Sequence, residues 1–176
     1  QVLSDAIVKQ NDVDQLLLLM AASFSILKVL QAKEFVSIVY RFESFLQISK
    51  ESTQSVIDQT KNPLGMPSFL CLAAIANFSP SSVNYQLVVP CAASLVNVDS
   101  KIMREASAKI LCDHIADPNV DLNLVFKIFV ESFNEQIVDD CVKVAIIAFS
   151  SVCYNNEIEK DLLKEMSRIY STIQTN

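Results

Sequence analysis

One glycine, one histidine and no tryptophan are found in the 176 residues of this chain. A single glycine leaves no material for a glycine-rich phosphate loop, in which several glycines let the backbone wrap an anion. Five cysteines, Cys71, Cys91, Cys112, Cys141 and Cys153, stand 20, 21, 29 and 12 residues apart without a C-x-x-C pair. With His114 as the sole histidine, this excludes the clustered ligand pairs of a zinc site, and no metal or cofactor is expected. Positive charge is also scarce: 14 Lys and Arg face 20 Asp and Glu, a net charge of −6. Direct binding to nucleic acid or to an anionic membrane relies on clustered basic residues and is not expected. No run reaches ~18 uninterrupted apolar residues, so no membrane span is expected either. The longest, at 16–24, is preceded by Asp12 and Asp14. A signal peptide would need a basic segment at the terminus, and there is none.

What the chain has in quantity is apolar residues, 51% against 19% charged, a composition that excludes disorder. The five cysteines lie in apolar runs such as Phe69-Leu70-Cys71-Leu72-Ala73, where free thiols behave as small hydrophobes. Their odd number and scatter favour a reducing compartment, the cytoplasm or nucleus. The chain opens at Gln1 without Met and closes on a polar tail. It is therefore read as a piece of a longer polypeptide.

Apolar residues recur at helical spacing nearly from end to end. Helices are expected at 2–10, 13–31, 34–48, 52–60, 68–78, 82–98, 101–115, 122–133, 137–154 and 158–173, with Pro90 bending or splitting the sixth of these. The strongest break is 61–67, which holds the one glycine and two of five prolines. No segment alternates with period two, so the fold is all-α. Short connections make consecutive helices antiparallel neighbours, in a closed bundle or an open stack of helix pairs.

A repeat favours the stack. Ala74-Ile75-Ala76-Asn77-Phe78-Ser79 returns 71 residues later as Ala145-Ile146-Ile147-Ala148-Phe149-Ser150, and Ile75, Ile110 and Ile146 stand at steps of 35 and 36. Helical repeats of roughly 34–47 residues bury their apolar faces by stacking on one another. The stretch 71–79 resembles the third helix of an armadillo repeat, through Ala74, Ile75, Asn77, Phe78 and Ser79. Arg104-Glu105-Ala106-Ser107-Ala108 resembles the opening of the same helix in the next unit. The copy at 142–150 departs from the pattern, with Ala148 where Asn would stand. The 35–36 step is shorter than an armadillo unit. It fits units without the short first helix, or HEAT-like helix pairs.

The resemblance covers residues 64–155 and implies one helical-repeat domain, 1–176, built as a right-handed α-solenoid. It also implies a protein-interaction scaffold that holds a peptide or helix of another protein in its groove. In the family, Asn at the position of Asn77 lines the groove and grips partner backbone. Asn77, Lys101 and Arg104 are therefore the candidate partner-binding residues, the two cations suiting an acidic segment. The family's tryptophan companions are absent, which argues against an import-receptor role. The alternative is a helical domain whose apolar excess is consumed by self-association, as a homodimer.

Catalysis has little to work with. His114 and Cys112 are two residues apart and point about 200° from each other on a helix. Asp139, Asp140, Glu157, Glu159 and Asp161 sit at expected helix starts, where carboxylates suit the dipole. Asp113, Asp117 and Asp121 lack the spacing and glycine of a calcium loop. The chain is expected not to be an enzyme. Phe126, Phe129 and Phe133, at i, i+3 and i+7, are either a core stripe or anchors for a partner.

Overall fold

The computed structural model describes residues 2–30, 33–46, 53–153 and 156–174. Among them there is no strand. The helices are α1 (Val2–Lys9), α2 (Val13–Leu30), α3 (Val39–Ser44), α4 (Thr53–Lys61), α5 (Gly65–Ala76), α6 (Tyr85–Leu95), α7 (Lys101–His114), α8 (Leu122–Ser132), α9 (Asp140–Cys153) and α10 (Lys160–Gln174), with 3-10 turns at Lys33–Ile38 and Pro80–Ser82.

Local chemistry sets most boundaries. Asn84 and Asp121 cap α6 and α8 by accepting from the backbone N–H groups of Gln86 and Leu124, each at 3.1 Å. The break at 61–67 ends sooner than expected, because α5 begins at Gly65. Asn62 Oδ1 folds the turn by accepting from the N–H groups of Leu64 (2.9 Å) and Gly65 (2.7 Å). Pro67 then falls in the first helical turn, where its missing N–H has no intrahelical partner to lose. Pro90 does not split its helix, since α6 runs through it. The helix expected from residue 34 starts instead as a 3-10 turn and becomes α-helical at Val39. Such 3-10 turns are frequent at the N-termini of α-helices. The expected ends at Gln31, Ile48, Ser52 and Tyr154 lie outside the described residues.

The first turn of α9 is held from outside. The Asp139 carboxylate accepts from the N–H groups of Cys141 (3.0 Å) and Val142 (3.2 Å), which moves the helix start from the expected 137 to Asp140. It also accepts from Arg104 Nε at 2.7 Å. Burial, the largest single influence, pushes the Asp139 pKa up, but the hydrogen bonds from Arg104 and the two amides, with the Arg104 charge, hold it below the ordinary carboxylate value. A carboxylate whose pKa is lower folded than unfolded contributes stability above the unfolded value and loses it as pH falls through the folded one. Urea midpoints are therefore expected to fall below about pH 4. Asp139→Asn should flatten that acid limb relative to wild type.

The helices pack in two rows. In one, α5 lies between α2 and α7, and α9 follows on the far side of α7. Met20 of α2 meets Ser68 and Cys71 of α5, both at 3.6 Å. In the other row, α8 lies between α6 and α10, and α4 crosses against α6 and α8. Buried Asn97, after α6, ties the turns together: its amide donates to Ile137 O, and its Oδ1 accepts from Asn134 N–H. The core runs through both rows. Phe126 and Phe149 meet edge to face with centroids 4.8 Å apart, and Phe129 lies 4.8 Å from Phe149. Phe126 and Phe129 are thus core, with Phe133 packed on Phe129 at 5.7 Å.

α2 is the outlier in its composition. Its 18 residues have a mean hydropathy of 1.8, long and apolar enough to cross a membrane by length and composition, yet only 22% of them are buried. Leu16, Met20, Ser23 and Leu27 form the packed face, while Leu18 (73% exposed) and Val29 (76%) point outward.

Candidate functional site

Nine of the twelve residues of α5 are buried, and four of these are the alanine or glycine residues Gly65, Ala73, Ala74 and Ala76. Small side chains keep the surface of this helix low between its larger neighbours. The result is a groove of about 240 Å³ along α5. Ala73, Ala74 and Asn77 form its floor, Phe24 and Lys28 of α2 one wall, and Ile102, Ala106 and Lys109 of α7 the other. Ile102 is half exposed.

The groove closes on a polar end. Asn77 is the C-terminal cap of α5 and is exposed, and its side-chain amide makes no hydrogen bond among the described residues. Lys109 pairs with Asp113 at 2.6 Å, whereas Lys28 has no ion pair among the described residues. His114 stacks on Tyr85 with ring centroids 3.9 Å apart and planes at 16°. Burial first, with the Lys109 charge, holds the His114 pKa below the ordinary histidine value against the upward pull of Asp113 and Asp117. The Tyr85 hydroxyl is buried without a hydrogen-bond partner among the described residues, and burial, then Asp117 and Asp113, push its pKa up.

The three residues singled out from the sequence are not brought together. Asn77 lines the groove. Lys101, at the start of α7, pairs with Glu105 at 3.7 Å, both side chains more than half exposed. Arg104 is turned inward: its side chain is 14% exposed, Nε donates to Asp139 and Nη1 to Val98 O at 2.7 Å. Its guanidinium staples α7 to the start of α9. Phe24, Lys28 and Ile102 were not singled out from the sequence, and the helical pattern that places them on solvent-side faces does not say which helix stands next to them.

Cys71 and Cys91 are buried as small hydrophobes, whereas Cys141 and Cys153 are half-buried and Cys112 is exposed. Cys71 is fully buried against Met20 O, and burial pushes its thiol well above the ordinary range. The Cys112, Cys141 and Cys153 pKa values are also raised, by burial first in each case, which keeps the thiols protonated at neutral pH. Cys112 Sγ faces Val144 O at 3.9 Å rather than His114. No group of three His, Cys, Asp or Glu side chains capable of holding a metal is found among the described residues.

Compared with protein-family models, curated proteins and solved structures, the chain matches none of them.

Proposed function

We propose that the chain is a right-handed α-solenoid of armadillo- or HEAT-like helix pairs, a non-catalytic scaffold that binds a segment of another protein in the groove over α5. The observation that carries this reading is the recessed α5, with its small-residue floor and the unengaged amide of Asn77 at one end. A flat apolar floor admits a partner's side chains, and an exposed amide both donates to and accepts from peptide backbone.

The stack is supported by contacts that recur at nearly one sequence separation. Hydrogen bonds join Arg104 to Asp139, Asn123 to Glu159, Asn97 to Asn134 and Ser132 to Ala93, at separations of 35, 36, 37 and 39 residues. Ile75, Ile110 and Ile146 are buried on α5, α7 and α9, successive members of one row. Units that each contact the next at a fixed offset are what stacking produces. Five cysteines without a disulfide suit an intracellular location, in cytoplasm or nucleus.

The exposed Leu18 and Val29 of α2 favour a second reading, a self-associating domain that forms a homodimer. One experiment separates the two: capture from cell lysate, beside light scattering of the purified chain. A monomer that captures a discrete partner, with capture weakened about 30-fold by Asn77→Ala plus Ile102→Glu at unchanged melting temperature, is the expected result. Capture that survives both substitutions removes the α5 groove as the site. A stable dimer that captures nothing favours the second reading.

A further inference from the structure

The outward side of α2 carries a pattern that packing inside this chain does not use. Leu18, Ala22, Ser25 and Val29 follow one another at steps of 4, 3 and 4 residues, the spacing of one seam of a two-helix coiled coil. All four are exposed. The packed residues Leu16, Met20, Ser23 and Leu27 lie on the opposite side of the helix. A large residue stands toward each end of the seam with small ones between, so a second helix can approach closely along its middle.

The charges beside this seam are self-complementary. Asp14 and Lys28 are exposed and 14 residues apart, two heptads, so they share one flank of the seam. Neither has an ion pair among the described residues. A second α2 laid antiparallel, with the two-fold axis at Ala21, brings Asp14 of each copy level with Lys28 of the other. It also seats Leu18 of each copy against Ala22 and Ser25 of the other. A parallel second copy sets like charges level instead. The neighbouring charges lie elsewhere. Lys9 of α1 stands on the other flank, beside Gln15 and Leu19, and Glu34 lies in the 3-10 turn that packs against α1. Across the α5 groove from Lys28, Glu105 and Asp113 are paired with Lys101 and Lys109.

We propose that α2 is a self-recognition helix, through which two copies of this chain pair antiparallel about Ala21. One rotation forms both Asp14–Lys28 pairs at once, as an isologous interface requires. This pairing deepens the self-association reading given above and rests on it, independently of the groove over α5. The helix is ~27 Å long, and one such helix pair buries less than the ~1,200 Å² of stable complexes. The dimer is therefore reversible and forms at concentrations on the order of tens of micromolar and above.

Sedimentation equilibrium of the whole chain in low-salt buffer, from about 1 to 500 μM, is expected to show a reversible doubling of mass. Leu18→Glu should weaken the dimer about tenfold or more and leave the melting temperature of the dilute chain unchanged, because the side chain is exposed. Asp14→Lys alone and Lys28→Glu alone should each weaken it about fivefold or more, since each turns both cross-pairs into like charges. An equal mixture of these two variants should recover the wild-type association, because every cross-pair of the mixed dimer again joins a cation to an anion. Asn77→Ala plus Ile102→Glu should leave the association unchanged, which separates this face from the groove over α5. A chain that stays monomeric throughout overturns the α2 pairing and the self-association reading together. A dimer that survives Leu18→Glu, or one that the mixed charge variants fail to recover, overturns the antiparallel α2 pairing and leaves the self-association reading standing.

Discussion

Phe149→Ala is expected to lower the melting temperature by roughly 6–20 °C. The side chain is fully buried and touches two other rings, Phe126 edge to face and Phe129 at a tilt. Removing a buried Phe forfeits its transfer free energy and leaves a cavity, together about 3–5 kcal/mol. In a domain of this size each kcal/mol moves the midpoint by about 2–4 °C. Both rings that would line the cavity are anchored on α8, which is itself held between α6 and α10, so collapse around the void is restricted. The comparison is Ile147→Ala, two residues away on the solvent side and 67% exposed, which should stay within about 0.5 kcal/mol of wild type. Thermal melts of the two variants side by side check the argument. Equal melting temperatures would mean that the two rows do not share a cooperative core at Phe149.

How much of this was legible in the sequence depends on the distance over which each feature is determined. Helix identity is local: runs of apolar residues at helical spacing needed no knowledge of neighbours. Where local rules competed, the boundaries moved. Gly65 and Pro67 read as a break, yet the Asn62 turn makes them the opening turn of α5. The repeat was visible as the recurrence of Ala74-Ile75 and Ala145-Ile146, and both copies fall on members of one row, with α7 between them. The groove was half legible. Asn77 stood out by its place in a motif, whereas Lys28, Phe24 and Ile102 owe their roles to the helices beside them. A periodic pattern states which residues share a face but not what that face meets.

Arg104 shows the same limit in a sharper form, and it carries the second large effect. Read along the chain, Arg104 and Lys101 looked alike, two cations at the start of one helix and available to an acidic partner. The helical turn separates them. Lys101 is 78% exposed and its ion pair with Glu105 is solvated, so Lys101→Glu is expected to cost at most about 1 kcal/mol. Arg104 is 14% exposed and holds both the Asp139 carboxylate and the Val98 carbonyl. Arg104→Glu removes two charge-assisted bonds and sets a second carboxylate against Asp139. Breaking a fully buried pair costs about 3–5 kcal/mol, and Asp139, about a third exposed, is partly relieved by solvent, so about 2–4 kcal/mol is expected. Chemical denaturation of the two charge reversals measures the contrast directly. Adding Asp139→Arg to Arg104→Glu should restore little, because Asp139 also caps α9 through the N–H groups of Cys141 and Val142, and an arginine cannot accept those bonds. If Arg104→Glu instead left stability unchanged and weakened a partner by tenfold or more, the side chain would belong to recognition rather than to the join between α7 and α9.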